Sequence, residues 1–334
     1  MLSARLSREF LMTNALTQSP SALRGVWYYV RGRLRGYPKL VNLEFTKHCN
    51  ASCGFCACWQ VESPNELKDY GPLVKKFRPI VCSVSGGEPM LRKDYAELLK
   101  GIRPYCHYLV IITNGAFLNE QSAAKLADAG VNQICVSLDF VGKKHSEQRK
   151  IEALYEHLET TLPRLSAKGY NIALNTIIME SNLDHIIPIA YKAQEWGVRV
   201  SYSSYCPLKK DLNDFMVKRE RFEQLKDVVA ELKTLKQQHG HIKNSHFYLD
   251  RIPEYFRTGG IGNCKAGKLW LQATPDGHIQ QCSELPRVAH FTEYVARNAK
   301  QPACTKCWYA CRGETEAPIF RGGRLKDLAR AYAS

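Results

Sequence analysis

The chain has 334 residues with a net charge of +15, and 45% of the residues are hydrophobic. This length suits one large domain plus a smaller one with a real core. The N-terminus has no apolar signal-peptide core, and no run of about 18 apolar residues occurs that could span a membrane. A secreted disulfide framework and a membrane-spanning protein are therefore excluded. The 13 cysteines are expected to be reduced, in the cytoplasm, as metal ligands or buried thiols.

Residues 1–40 form a basic N-terminal extension. Glu9 is its only acidic residue, against the cations Arg5, Arg8, Arg24, Arg31, Arg33, Arg35 and Lys39. Residues 23–31 mix aromatic and basic side chains, a pattern that suits an anionic lipid surface or a greasy substrate. Because Gly25, Gly32 and Gly36 weaken an interfacial helix, we expect a helix packed on the domain with a solvated basic face. Peripheral membrane contact through residues 1–40 is the alternative.

From residue 41 onward, apolar strands alternate with amphipathic helices. The near-continuous apolar runs are typical of a parallel sheet that is buried on both faces. This pattern predicts an α/β fold, a partial (β/α)6 TIM-type barrel over residues 41–205, with functional groups on the loops after the strands. The six predicted strands cover residues 41–45, 80–85, 108–113, 133–138, 171–178 and 198–202.

Three cysteines follow the first predicted strand in the spacing C-x3-C-x2-C: Cys49, Cys53 and Cys56. Three soft ligands on one loop can hold three irons of a four-iron cluster and leave the fourth iron open. A structural zinc site would be closed by four ligands. A zinc knuckle or scattered core cysteines are the alternatives, and Cys58 is expected to be a spare thiol outside the loop geometry.

This spacing, with Phe55 before the third cysteine, resembles the radical S-adenosylmethionine (SAM) superfamily. The resemblance implies a [4Fe-4S] cluster held by Cys49, Cys53 and Cys56, which are thereby the catalytic residues. It also implies that the open iron chelates SAM, with Phe55 beside the cofactor. Reduction by a flavodoxin or ferredoxin would cleave SAM to a 5′-deoxyadenosyl radical, which abstracts a substrate hydrogen.

The second predicted strand ends in Ser85, followed by Gly86, Gly87, Glu88 and Pro89. Two glycines allow close approach of a ligand or a positive φ, and Glu88 offers a carboxylate to an ammonium group. These four residues match letter for letter the GGEP motif that binds the SAM amino group in the radical SAM superfamily. As a bare motif, the same letters could form a plain turn.

Polar residues also end the next three strands. Ser137 and Asp139 alternate to the same side of the fourth strand, and similar polar pairs contact SAM in the radical SAM superfamily. For each of these residues a structural hydrogen bond at the barrel rim is the alternative. The candidate SAM-binding residues on these strands are Asn114, Ser137, Asp139 and Asn175, with Arg199 and Tyr202 as weaker candidates.

Residues 206–255 read as a helical connection, and residues 256–334 as a small domain with a second cysteine group. Asp276-Gly277 predicts a hairpin turn between two short strands. The pattern C-x12-G-x4-C resembles the SPASM/twitch auxiliary-cluster domains of radical SAM enzymes. The resemblance implies a second [4Fe-4S] cluster; a zinc ribbon is the alternative. Its candidate ligands are Cys264, Cys282 and two of Cys304, Cys307 and Cys311.

These features together predict a radical SAM oxidoreductase that oxidises or hydroxylates an unactivated C–H position. The expected substrate is a small, anionic and partly hydrophobic molecule, such as a chlorophyllide-like or haem-precursor tetrapyrrole held by Arg or Lys. A maturase of ribosomal peptides and an enzyme that modifies isoprenoid lipids are alternatives. A zinc-dependent nucleic-acid-binding module would also suit the charge, but leaves the GGEP motif unexplained, so no nucleic-acid partner is expected.

Overall fold

The computed structural model describes residues 21–209 and 212–318, and Arg5, Arg8, Glu9 and the tail lie outside them. The described residues contain one nine-stranded sheet in the order β6-β5-β4-β3-β2-β1-β7-β8-β9. The strands are β1 Leu40–Thr46, β2 Val81–Gly86, β3 Tyr108–Thr113, β4 Gln133–Ser137, β5 Ile172–Ile178, β6 Arg199–Ser204, β7 Trp270–Ala273, β8 His278–Gln280 and β9 Arg287–His290.

The six predicted barrel strands are confirmed, with ends that shift by one or two residues. Strands β1 to β6 are parallel, and apolar side chains on one face of the sheet, such as Leu43, Val84 and Ile111, are fully buried in a cluster with helix residues. Because parallel strands need crossover connections, helices cover the sheet between them. The fold is therefore the expected partial α/β barrel, and the carboxyl ends of β1 to β6 meet at one rim.

Helices fill the connections. Gly130, Gly169 and Gly197 follow three of them with φ of 80°, 88° and 65°, as a helix C-terminal glycine requires. The helices are α1 Ala22–Arg35, α2 Gly71–Phe77, α3 Tyr95–Ile102, α4 Glu120–Asp128, α5 Lys144–Arg149, α6 Leu154–Ala167, α7 Ile186–Glu195, α8 Phe222–His239, α9 His246–Leu249, α10 Ile252–Thr258 and α11 Ala310–Glu316. The predicted helical connection is largely α8, whose apolar stripe is buried.

The C-terminal region continues the barrel sheet. Strand β7 pairs in parallel with β1, with Leu40 opposite Trp270, and the predicted hairpin joins β7 to β8 in an antiparallel pair. The turn closes where Gly277, with φ of 84°, donates its N–H to the Thr274 carbonyl at 2.9 Å. The second cysteine group therefore sits beside β1. The exact domain boundaries remain a prediction.

Helix α1 lies at the amino ends of the strands. The Arg24 guanidinium donates to the carbonyl of Cys106, just before β3, at 3.4 Å. The buried Tyr28 ring lies 5.8 Å from the ring of His107. Across residues 21–209 and 212–318, no helix combines the length and apolarity needed to cross a membrane. Helix α1 thus packs on the domain at the end opposite to the rim of strand carboxyl ends.

Candidate active site

The cysteine loop leaves β1 at the barrel rim and forms one wall of a cavity of about 170 Å³. Cys49, Cys53 and Cys56 all line this cavity; Cys53 is buried, and the other two thiols are partly exposed. The Ala51 N–H donates to the Cys49 sulfur at 3.4 Å, and the Cys58 N–H donates to the Cys56 sulfur at 3.5 Å. Such donors stabilise the thiolate form at these two positions and oppose the burial that raises the pKa of Cys49. The loop presents all three soft ligands to one space.

Backbone packing leaves no room for a side chain at Gly86 or Gly87. A Cβ on Gly87 would lie 2.0 Å from the His48 carbonyl oxygen, and one on Gly86 would lie 2.2 Å from that of Thr46. The Gly87 N–H donates to the Thr46 carbonyl at 2.7 Å, and the Glu88 N–H donates to the His48 carbonyl at 2.8 Å. From the sequence, a ligand is expected to approach these two glycines closely. In the structure it is the backbone at the start of the cysteine loop that does so. Both glycines still line the cavity.

Glu88 does not offer its carboxylate to the cavity. The side chain is 1% exposed and accepts hydrogen bonds from the Asn114 N–H at 2.7 Å, the Thr113 hydroxyl at 2.8 Å and the Met90 N–H at 3.1 Å. Burial raises the pKa of Glu88, and these hydrogen bonds oppose the rise. Pro89 starts a short helical turn behind it. The contact of Glu88 with the SAM ammonium group stays a prediction; in this structure Glu88 ties the β2 loop to the end of β3.

The polar strand ends converge as predicted at three positions. Asn114, Ser137 and Asn175 all line the cavity, and Ser137 lies directly opposite Asn175 in the β4–β5 ladder. The Asn114 amide donates to the side-chain oxygen of Asn50 at 2.8 Å and so joins the β3 loop to the cysteine loop. The cavity thus has hydrogen-bonding groups on the side facing the three thiols.

Asp139 is not on the cavity wall. It is fully buried, accepts the Ile177 N–H at 3.0 Å and forms an ion pair with Arg149. Its role in direct SAM contact stays a prediction; in this structure its carboxylate is occupied by Arg149 and the Ile177 N–H. The residue that does reach the cavity from this pair is Arg149.

Sequence reasoning missed Arg149. Its guanidinium lies near Cys53, where it opposes the rise in the pKa of that thiol, and it is 5.3 Å from the centre of the Phe55 ring. Burial alone would lower the pKa of Arg149, but Asp139 and Cys53 raise it above its usual value. Burial likewise raises the pKa of the Cys53 thiol, and Arg149 opposes that rise. A permanent cation therefore faces the cysteine loop, where it favours the thiolate form.

The remaining candidate residues differ in whether they line the cavity. Phe55 lines the cavity as predicted, and Cys58, expected to be spare, lies on the same wall beside Trp59. Tyr202 is buried and donates to the Ile186 carbonyl at 3.0 Å, and Arg199 sits at the opposite end of β6. Neither residue lines the cavity.

The five C-terminal cysteines gather around Arg312. Its fully buried guanidinium donates to the carbonyls of Cys307 at 2.8 Å, Ile261 at 2.8 Å and Gly262 at 2.6 Å. It thereby joins the segment before Cys264 to the segment that carries Cys307. The cysteines of this group are Cys264, Cys282 and Cys307, which are buried, and Cys304 and Cys311, which are partly exposed.

Burial dominates the electrostatics of this second group. It raises the pKa of Cys282 and of Cys311 to about 12, and that of Cys307 higher still, with neighbouring cysteines adding to the rise. Cys264, Cys282 and Cys311 pack against the same apolar cluster as Trp270. Cys206, which the sequence presented as an isolated thiol, donates to the Lys306 carbonyl at 3.3 Å nearby. Within residues 21–209 and 212–318, no three Cys, His, Asp or Glu side chains converge on a point suited to a single metal ion.

Comparison with known proteins extends these observations. Residues 43–190 match the Radical SAM superfamily. The chain is 27% identical to the pre-heme d1 synthase of Dinoroseobacter shibae over 51% of this chain and 44% of that protein. It is 23% identical to a mycofactocin maturase of Mycolicibacterium smegmatis over 87% of this chain and 81% of the maturase.

The structure is also similar to that of SuiB of Streptococcus suis bound to SAM. The TM-score is 0.62 at 16% sequence identity, over 81% of this chain and 68% of SuiB. The chain spans about half the length of the curated relatives that match it first, from 44% to 61%.

The fold and the cavity define a partial-barrel protein in which three thiols line one cavity at the rim of the parallel strands. Residues 43–190 form a radical SAM domain, and a C-terminal auxiliary domain follows it. This family implies a [4Fe-4S] cluster and SAM. The three thiols on one cavity, the N–H groups that point at their sulfurs and the cation of Arg149 fit the binding of an anionic iron–sulfur cluster.

Proposed function

We propose that this chain cleaves SAM reductively and uses the radical to modify an unactivated C–H bond of its substrate. The observation that carries this proposal is the shared cavity of Cys49, Cys53 and Cys56 with the rim residues of β2 to β5. When bound, the [4Fe-4S] cluster and SAM supply the electron and the 5′-deoxyadenosyl radical. The substrate is then oxidised or joined to a second group. A flavodoxin or ferredoxin is the proposed reductant.

The chain's own residues have distinct proposed roles. Cys49, Cys53 and Cys56 hold the cluster, and Arg149 favours the thiolate form of Cys53. Backbone groups of Gly86 and Gly87 and the side chains of the three rim residues contact SAM, because these groups line the space in front of the thiols. The rim residues are Asn114, Ser137 and Asn175. Phe55 shields one side of the cavity from water.

We assign a second [4Fe-4S] cluster to Cys264, Cys282, Cys307 and Cys311. Three of these thiols pack against one apolar cluster, and Cys307 is held beside them by Arg312. Cys304 does not pack against this apolar cluster and is left out of the ligand set. A cluster here could accept the electron that an oxidised substrate releases. Iron and sulfide analysis of the Cys304→Ser and Cys307→Ser proteins tests this choice: only Cys307→Ser should lose about four irons.

A peptide is the substrate class that the comparisons support best. The match to the mycofactocin maturase runs through both the barrel and the auxiliary region, whereas the match to the pre-heme d1 synthase covers half of this chain. SuiB, which shares the fold, is known bound to its precursor peptide SuiA. The proposed reaction is therefore maturation of a peptide side chain.

A tetrapyrrole is the second candidate, supported by the name of the pre-heme d1 synthase. The structure weakens the sequence argument for it. The basic helix α1, expected to hold substrate carboxylates, lies at the amino ends of the strands, and the cavity lies at their carboxyl ends. β1 alone separates the two by about 20 Å.

One experiment separates the two substrate classes. The reconstituted protein, SAM and dithionite are incubated without oxygen with either a precursor peptide encoded beside this gene or a porphyrin carboxylate. A peptide substrate should raise 5′-deoxyadenosine formation above the substrate-free rate and change the peptide mass. Acceleration by the porphyrin alone would favour the tetrapyrrole.

A further inference from the structure

Helix α1 has an apolar stripe that no described residue covers. Leu23 is 83% exposed, Trp27 50% and Leu34 75%, and Val26 and Val30 are also exposed. These five residues recur at the spacing that places them on one side of a helix. The side that packs on the domain, with Gly25 and Tyr28 buried, is the opposite one. The stripe therefore points away from the protein.

Arginines border this stripe on both sides, and the helix has no acidic residue. Arg24 and Arg31 lie along one border and Arg33 along the other, as the helical spacing requires. The Arg31 guanidinium lies 4.8 Å from the centre of the Trp27 ring, so it is held beside the stripe. An apolar face bordered by cations is the arrangement of a helix that lies in an anionic membrane interface.

The cationic surface continues from Arg33 into a cavity of about 270 Å³ between α1 and the domain. Arg33, Arg78, Lys268 and Arg297 contribute to its walls together with Tyr29, and no carboxylate does. In the part of the chain that the structure describes, none of these four cations forms an ion pair with a carboxylate. The cavity thus extends the positive surface on one border of the stripe.

The segment that precedes α1 in the sequence carries no net negative charge to complement this face. Residues 1–20 carry Arg5 and Arg8 against Glu9, so covering α1 with that segment would add positive charge. A bilayer with anionic lipids supplies both an apolar interior and negative headgroups. We propose that α1 binds such a bilayer through its apolar stripe, with phosphate groups held by its bordering arginines and by the neighbouring cationic cavity.

This orientation leaves the active-site cavity open. Because α1 covers the amino ends of the strands, a protein resting on this helix keeps the thiol-lined rim turned away from the bilayer. The membrane contact is therefore compatible with either substrate class and does not depend on the proposed reaction.

Vesicle co-sedimentation of the full chain tests the proposal. The protein should pellet with vesicles of phosphatidylglycerol and phosphatidylcholine, but not with phosphatidylcholine alone, and high salt should release part of it. Trp27→Glu/Val30→Glu should weaken binding at least tenfold. Arg33→Gln/Arg35→Gln should weaken it roughly fivefold for each charge removed. The matched control is Val288→Glu, at an exposed residue of β9, which should bind as the unmodified protein does.

Three results would overturn the proposal. The first is equal binding, or none, to both vesicle types. The second is a loss of binding in Val288→Glu as large as in Trp27→Glu/Val30→Glu. The third is a dimer of the unmodified protein that Trp27→Glu/Val30→Glu converts to a monomer, which would make a second copy the occupant. Thermal melting confirms that each variant is folded, and SAM cleavage should be unchanged in all of them.

Discussion

The two cysteine groups of this chain are each organised by a buried arginine, yet they differ in what the arginine does. Arg149 pairs with Asp139 and turns its charge to the cavity that Cys49, Cys53 and Cys56 line. Arg312 instead donates three hydrogen bonds to backbone carbonyls around the C-terminal thiols. We call the first group open because its three thiols line a cavity, as exchange of a bound cofactor requires. We call the second group enclosed because three of its five thiols are buried, as a permanent centre requires.

Removing a thiol of the open group should have the largest effect on activity. Cys53→Ala deletes one of the three proposed iron ligands, and we expect 5′-deoxyadenosine formation to fall below detection. Chromatographic assay of the reconstituted protein with SAM and dithionite measures it. Cys58→Ala is the matched control on the same cavity wall and should keep most of the activity. Equal loss in both variants would contradict the assignment of three ligands.

Breaking the Asp139–Arg149 pair should destabilise the open group next most strongly. Asp139→Asn leaves the buried Arg149 without its carboxylate, and the loss of one partner of a buried pair costs about 3–5 kcal/mol. Denaturant unfolding measures this loss of stability. Glu120→Gln breaks an exposed pair with Arg164 and should cost less than about 1 kcal/mol. Similar losses of unfolding free energy in Asp139→Asn and Glu120→Gln would show that the buried pair contributes no more than an exposed one.

The contact between the GGEP loop and the cysteine loop gives a smaller effect. Gly87→Ala places a methyl group against the His48 carbonyl, and we expect a loss of about 1–3 kcal/mol together with weaker SAM binding. Gly262→Ala is the control near the enclosed group, because an added Cβ there meets nothing within 4 Å. Unfolding and SAM titration of both proteins compare them. If Gly87→Ala changed neither the free energy of unfolding nor the affinity for SAM, the contact of Gly87 with the cysteine loop would not stabilise that loop.

Loss of the proposed cluster at the enclosed group should leave the cleavage of SAM intact. Cys311→Ser should halve the iron content from about eight to about four per chain. Cleavage of SAM in the absence of substrate should continue, because the open group is intact. Iron analysis and the 5′-deoxyadenosine assay on the same preparation measure both. A Cys311→Ser protein that no longer cleaves SAM would show that the two regions do not act separately.

A residue outside both regions should give the smallest effect. Burial lowers the pKa of His107 to about 4, with Arg24 and Arg103 adding to the shift. Because the folded pKa is below the ordinary value, this stabilisation is complete above about pH 6.5 and is lost as the pH falls toward 4. His107→Gln should flatten the stability curve between pH 6.5 and 5 in urea unfolding. An unchanged curve would place the acid sensitivity elsewhere.

The sequence predicted the strands and the open cysteine loop because both are local patterns. The apolar runs of β1 to β6 and the C-x3-C-x2-C spacing need no tertiary information. Arg149 could not be found this way, since its charge matters only after the loop beyond β4 brings it to Cys53. The burial of Glu88 and Asp139 was missed for the same reason: their carboxylates accept hydrogen bonds from donors that are distant in sequence.

The central claim is that the open group supports reductive cleavage of SAM. The direct measurement is 5′-deoxyadenosine formed per chain by oxygen-free, iron-reconstituted protein supplied with dithionite and SAM. We expect steady formation that disappears in Cys53→Ala and persists in Cys311→Ser. A protein with its full iron content that leaves SAM intact under these conditions would contradict the account.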